Sequence, residues 1–205
     1  MNKTDIDGYF FFDADLMPEN PAVMEIGAYS AHAVAPVLNR YPHASFSVIE
    51  ASPLCFRMLK TSTEPYNVHV INLAIADKDD YVTLNEYAEG LDANSTFDRK
   101  SEGLTLTKAT KIMGLTLPSL LEISGFTYLD LLLVNCEGCE VYILKQLIAS
   151  QSLRNKVRQI CLSFHCDHVK IYPTQVRDDL LWGIGPHYEI TKGTDAVGYY
   201  LMVRK

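Results

Sequence analysis

Residues 129–140 read Leu129-Asp130-Leu131-Leu132-Leu133-Val134-Asn135-Cys136-Glu137-Gly138-Cys139-Glu140. Tyr128–Asn135 is the most apolar stretch of the chain, which predicts a strand at the centre of a parallel sheet. A helix over Glu140–Ser150 is expected after the turn. Outward from this unit, β-branched runs alternate with amphipathic ones, the pattern of a parallel sheet covered by helices. Strands are expected at Ala22–Ile26, Ser45–Glu50, Asn67–Ala74 and Val157–His165. Helices are expected at Ser30–Arg40, Pro53–Leu59, Leu117–Ser124 and Thr174–Trp182. Ser52 suits an N-cap with Pro53 at the first helical position. Trp182, with Leu180 and Leu181, reads as a helix packed on the sheet. His187–Thr191 and Tyr199–Arg204, joined by Lys192–Gly198, predict a closing hairpin. The expectation is an α/β fold: a doubly wound, mostly parallel, Rossmann-like sheet ending in an antiparallel C-terminal hairpin.

Between these elements, Tyr81–Asn85 is expected as a short edge strand. Glu86–Thr105 is polar, carries Gly90 and Gly103, and reads as a long loop of the kind that often carries function. Lys108 and Lys111 read as a small solvated basic face. The first 20 residues read as an N-terminal segment, and the 205 residues as one domain.

Acidic residues number 25 against 18 basic ones, a net charge of −7, so the chain is a poor general binder of nucleic acid. No stretch approaches the ~18 apolar residues of a membrane span. The scattered cysteines, Cys55, Cys136, Cys139, Cys161 and Cys166, with no signal peptide before them, predict a reduced, cytoplasmic protein. No feature specifies an oligomeric state.

The first strand ends in Glu25-Ile26-Gly27-Ala28, and the second ends in Glu50. Gly27 lets the backbone turn and a ligand approach closely. An acidic residue at the end of the second strand can accept hydrogen bonds from both ribose hydroxyls. Glu25 suits a ligand with a cationic group. The glycine-rich pyrophosphate cradle of dinucleotide sites is absent. A purely structural reading, with Gly27 a tight turn and Glu50 a solvated strand end, fits the same residues.

Met24-Glu25-Ile26-Gly27-Ala28, Val48-Ile49-Glu50-Ala51-Ser52-Pro53, Asn72-Leu73-Ala74-Ile75-Ala76-Asp77 and the 129–140 block resemble, in order, the FkbM family of S-adenosylmethionine-dependent methyltransferases. The resemblance implies the class I methyltransferase fold and S-adenosylmethionine as cofactor. It implies methyl transfer to the hydroxyl of a small molecule or carbohydrate. Glu25 would lie near the methionine amino group, with Gly27, Ala28 and Tyr29 forming the loop beneath the cofactor. Glu50 would bind the ribose, Ala51 and Ser52 would flank the adenine, and Ala74 and Ile75 would line its face. Asn135 would close the methionine side. The family's central Lys and Asp are here Leu133 and Asn135, and Ala31 replaces a glycine. An inactive cofactor-binding or interaction module is therefore the first alternative.

On the acceptor side, His165 ends the strand beside the central one and is expected to face Asn135 and Glu137 across the cleft, as base or substrate-positioning residue. Glu137 is the nearer substrate candidate, or else a cap of the helix at Glu140. His32, Ser95 and Thr96 are further candidates for contact. Cys136 and Cys139, with Cys166, Asp167 and His168 after the next strand, leave zinc binding or thiol exchange as a second alternative beside simple packing. No metal is expected.

Overall fold

A computed structural model describes residues 3–6, 8–88, 90–99, 102–166, 170–193 and 198–205. Strand β10 (Leu129–Val134) is buried along its whole length. Leu132 and Val134 pack with Ile143 and Leu144 on one side of the sheet. Leu131 and Leu133 pack with Phe10, Phe12 and Val34 on the other. Burial on both faces is what its unbroken apolar run requires.

Around it, β3 (Ala22–Ile26), β4 (Ser45–Glu50), β5 (Val68–Asn72) and β11 (Val157–Leu162) run parallel. The hairpin β12 (Tyr188–Lys192) and β13 (Tyr200–Arg204) adds antiparallel strands beside β11. Among the described residues the sheet has the order β12-β13-β11-β10-β3-β4-β5. Chain order reverses between β3 and β10, and open α/β sheets bind ligands outside the carboxyl ends of strands at such a point.

The helices are α1 (Val34–Arg40), α2 (Pro53–Ser62), α3 (Leu117–Ile123), α4 (Glu140–Ala149), the single turn α5 (Gln151–Arg154) and α6 (Thr174–Ile184). Ser52 caps α2 by accepting from the Cys55 N–H. Helix α1 starts later than Ser30, because Tyr29 and Ala31 hold left-handed φ values of 45° and 55°. The expected strand Asn67–Ala74 divides. The Asn72 side chain donates to the Glu50 and Ala51 carbonyls, and Ala74–Ile75 (β6) turns to pair elsewhere. Trp182 does not pack on the sheet. It is 85% exposed, while Leu180 and Ile184 on the same helix are buried. Among the described residues no helix is long and apolar enough to cross a membrane.

The expected edge strand Tyr81–Asn85 is present within a longer one, and the residues after it, 86–115, depart from expectation. Residues 80–115 form β7 (Asp80–Tyr87), β8 (Gly90–Ser95) and β9 (Leu106–Leu115), which join β6 in a second sheet of order β6-β9-β7-β8. Within the expected loop Glu86–Thr105, residues 86–87 and 90–95 are strand, while residues 96–99 and 102–105 are not. The N-terminal segment is also folded. β1 (Lys3–Ile6) and β2 (Phe10–Asp13) form a hairpin against β11, where the Asp13 N–H donates to Gln159 Oε1 at 2.8 Å.

Candidate functional site

A cleft of about 290 Å³ opens at the carboxyl ends of β3, β4 and β10. Gly27 follows β3 with φ 76°, and a Cβ there would stand 2.1 Å from the Asn135 carbonyl oxygen. The close approach that demands glycine is therefore made by the chain's own backbone. It locks the turn after β3 to the turn after β10.

Most of the residues expected to hold a cofactor line this cleft: Glu25, Gly27, Ala28, Tyr29, Glu50, Ala51, Ala74, Ile75 and Asn135. Ser52 does not line it. Its Oγ caps α2, and its N–H donates to Glu50 Oε1 at 2.7 Å. Glu50 Oε2 accepts the Tyr29 N–H at 3.0 Å. These two bonds fix the plane of a carboxylate that retains further lone pairs. Burial raises the Glu50 carboxyl above its usual range, against the N–H groups of Ser52 and Tyr29.

Glu25 is more isolated. It is buried, and its Oε2 has no hydrogen-bond partner. Burial pushes its carboxyl up to about 8, opposed by a hydrogen bond from the Ala33 backbone and reinforced by the Glu50 charge. A buried, unanswered carboxylate oxygen at a cleft is an unmet demand for a donor or cation.

The acceptor side is built differently. Glu137 lines the cleft, but its carboxylate is paired on both sides. The Arg99 guanidinium donates to Oε2 at 2.7 Å, and His165 Nε2 lies 3.0 Å from Oε1. His165 Nδ1 lies 3.0 Å from Glu140 Oε1. Glu140 also accepts from the His165 N–H at 2.9 Å, the Gly138 N–H at 3.0 Å and the Tyr172 hydroxyl at 2.6 Å. Arg99 is held besides by Glu102, 3.0 Å away, and by the Ala93 carbonyl. Burial opposes a charge on His165, yet Glu140 and Glu137 overcome it and push the imidazole up to about 10. Burial likewise opposes the charge on Glu140, and His165 prevails, holding that carboxyl below its usual range.

His165 meets Glu137, as its place beside the central strand implied, but its surroundings speak against the base role. It is 4% exposed, absent from the cleft lining, and has both ring nitrogens committed to carboxylates. A charged, enclosed imidazolium cannot accept a proton. Cys136 and Cys139 are joined in a disulfide, which corrects the expectation of a wholly reduced chain. While bonded to each other they offer no thiolate to zinc. Cys55, Cys161 and Cys166 carry buried thiols, and Asp167 and His168 lie outside the described residues. Among the described residues no group of three His, Cys, Asp or Glu is placed to hold a metal.

His32, Ser95 and Thr96 also line the cleft. Tyr9, Phe10 and Tyr199, which the sequence did not single out, complete its wall. Tyr9 stacks on His32 with centroids 5.8 Å apart, and Tyr199 meets Phe10 edge-on at 5.2 Å. The aromatic run at residues 9–12 was a signal. Arg99 and Tyr172 had none, because Glu137 and Glu140, which they bind, lie 38 and 32 residues away in sequence.

No family model matches the chain, and no curated protein sequence does. Solved structures are similar in fold. The Methanococcus jannaschii fibrillarin pre-rRNA processing protein matches with a TM-score of 0.54 at 10% identity, over 96% of this chain and 71% of that one. Precorrin-6y C5,15-methyltransferase from Geobacter metallireducens GS-15 gives 0.51 at 11% identity, over 91% and 80%. The human methyltransferase 10 domain containing protein gives 0.50 at 15%, over 95% and 75%. At such identities the likeness concerns fold, and the fold of this chain is the Rossmann-like one of the class I methyltransferases.

Proposed function

We propose that the chain is an S-adenosylmethionine-dependent methyltransferase of FkbM type, acting on a hydroxyl oxygen of a small molecule or carbohydrate. The unpartnered Glu25 Oε2, buried at a cleft on the topological switch point, carries the reading. It suits the methionine amino group of the cofactor. Glu50, its plane fixed by the Tyr29 and Ser52 N–H groups, suits the ribose hydroxyls. Ala28, Ala74 and Ile75 offer a flat apolar wall for a base. The bound cofactor would supply a methyl group on a sulfonium.

In-line methyl transfer depends chiefly on positioning, which can supply ~7–11 kcal/mol. Asn135 and Glu137 orient the acceptor hydroxyl. Arg99 and His165 act through Glu137 and are positioning residues. Among the described residues of the lining there are three glutamates and no lysine or arginine, which favours a neutral acceptor over a phosphorylated one.

Asn135, standing where the family carries Asp, and the enclosed state of His165 favour a second reading: a module that binds the cofactor without turnover. Calorimetric titration with S-adenosylmethionine and S-adenosylhomocysteine tests the first step. Saturable binding is expected, and none at millimolar ligand would overturn both readings. Release of S-adenosylhomocysteine with a panel of neutral hydroxylated acceptors then separates them, since binding without turnover favours the module.

A further inference from the structure

The Cys136–Cys139 disulfide is not itself used by the proposed transfer. It closes a short ring of chain around Glu137 and Gly138, both held at left-handed φ values of 51° and 110°. Both cysteines line the cleft. The ring is tied to the cleft wall. The Ser95 hydroxyl donates to the Glu137 carbonyl at 2.6 Å, and Arg99 binds the Glu137 carboxylate. A Cβ on Gly138 would stand 2.6 Å from the Phe97 ring, so that aromatic sits directly on the loop. Asn94, Ser95 and Thr96 are wall residues. The conformation that the bond imposes on Glu137 is the one that seats this wall.

The chemistry of exchange is also provided for. Cys136 is the more exposed of the pair, and Cys139 is the N-cap residue of the ten-residue helix α4. A thiolate of an incoming dithiol attacks Cys136 Sγ. The Cys136–Cys139 bond breaks, and Cys139 leaves as a thiolate favoured by the helix start. The second thiolate of the reductant attacks its own sulfur in the mixed disulfide and releases Cys136. Two electrons pass to the protein, the reductant departs as a disulfide, and its two protons end on Cys136 and Cys139. Glu140 Oε2, 3.6 Å from Cys136 Sγ, can accept the new S–H.

We infer that Cys136–Cys139 is an exchangeable redox site, reduced by dithiols, whose state governs the proposed cofactor cleft through Glu137. The coupling rests on the cofactor reading of that cleft. Three measurements on the intact protein test it. Alkylation of denatured protein after mild oxidation should modify three of the five cysteines, and all five after dithiothreitol. The reduced form should bind S-adenosylhomocysteine about tenfold more weakly, a coupling of ordinary size. Saturating S-adenosylhomocysteine should slow reduction by dithiothreitol in return. Five modifiable thiols after oxidation would overturn the site. Equal affinities together with equal reduction rates would overturn the coupling alone. Binding by neither form would overturn the cofactor reading and the coupling together, while the thiol count would still decide the exchange.

Discussion

Glu140 and Glu25 are both buried near the carboxyl ends of the sheet, and the chain treats them oppositely. Glu140 accepts from Gly138, His165 and Tyr172, and its carboxyl lies below the usual range. Glu25 keeps one oxygen without a partner, and burial pushes its carboxyl up to about 8. Where the chain answers a buried charge itself, the group belongs to the architecture. Where it does not, the answer must come from outside. The contrast separates a structural cluster from a ligand site, although the sequence alone made His165 the more attractive catalyst.

Glu140→Ala is the strongest way to break this comparison. It leaves the His165 imidazolium and the Tyr172 hydroxyl buried without their partner, and a loss of ~3–5 kcal/mol is expected in urea unfolding. A loss under ~1 kcal/mol would remove the cluster from the architecture.

Glu25→Gln should act the other way. A carboxyl raised to about 8 in the fold, against an ordinary value of 4.5, favours the folded state only while protonated. Its contribution is complete below pH 4.5 and is lost as pH rises to about 8, with Glu50 adding to the same slope. His165, raised from 6.5 to about 10, gives a second loss between those values. Glu25→Gln should raise stability by about 1–3 kcal/mol at pH 8 and flatten the first slope while leaving the second. In calorimetry at pH 6.5, cofactor binding to the parent protein should release about one proton, and the variant should release none.

Glu50→Ala should weaken S-adenosylhomocysteine at least tenfold, about 1.4 kcal/mol. An unchanged affinity would place the nucleoside elsewhere. Trp182→Ala sets the floor. At 85% exposure it should shift the urea midpoint by less than ~0.5 kcal/mol equivalent.

The parallel sheet was legible because its signals are local. β10 is apolar on both faces, Ser52 and Pro53 announce α2, and Glu25 and Glu50 sit at strand ends. Most of residues 80–115 were not legible, although Tyr81–Asn85 reads as an edge strand. Their strands are exposed on much of both faces, with Tyr81, Lys108 and Met113 all outward, so no period-two apolar pattern marks them. The Glu25 and Glu50 positions could be read from spacing. The fate of His165 could not, since it depends on Arg99 reaching Glu137 across 38 residues and on His165 reaching Glu140 across 25. Glu137 itself was open in the sequence as substrate residue or helix cap. The fold adds a third relation, its pairing with Arg99.

The N-terminal hairpin has a consequence for biosynthesis. The Phe11 N–H donates to Cys161 Sγ across 150 residues, and the Asp13 N–H reaches Gln159 across 146. Phe10 and Tyr9 rest on Tyr199. Chains emerge from the ribosome N-terminus first at ~5–20 residues per second. The contacts of this hairpin with β11 and Tyr199 must therefore wait ~10–40 seconds at those rates until those partners are made. These residues are made before the strands they dock on, and a nascent chain stalled before β11 would carry three adjacent phenylalanines, Phe10, Phe11 and Phe12, without that dock.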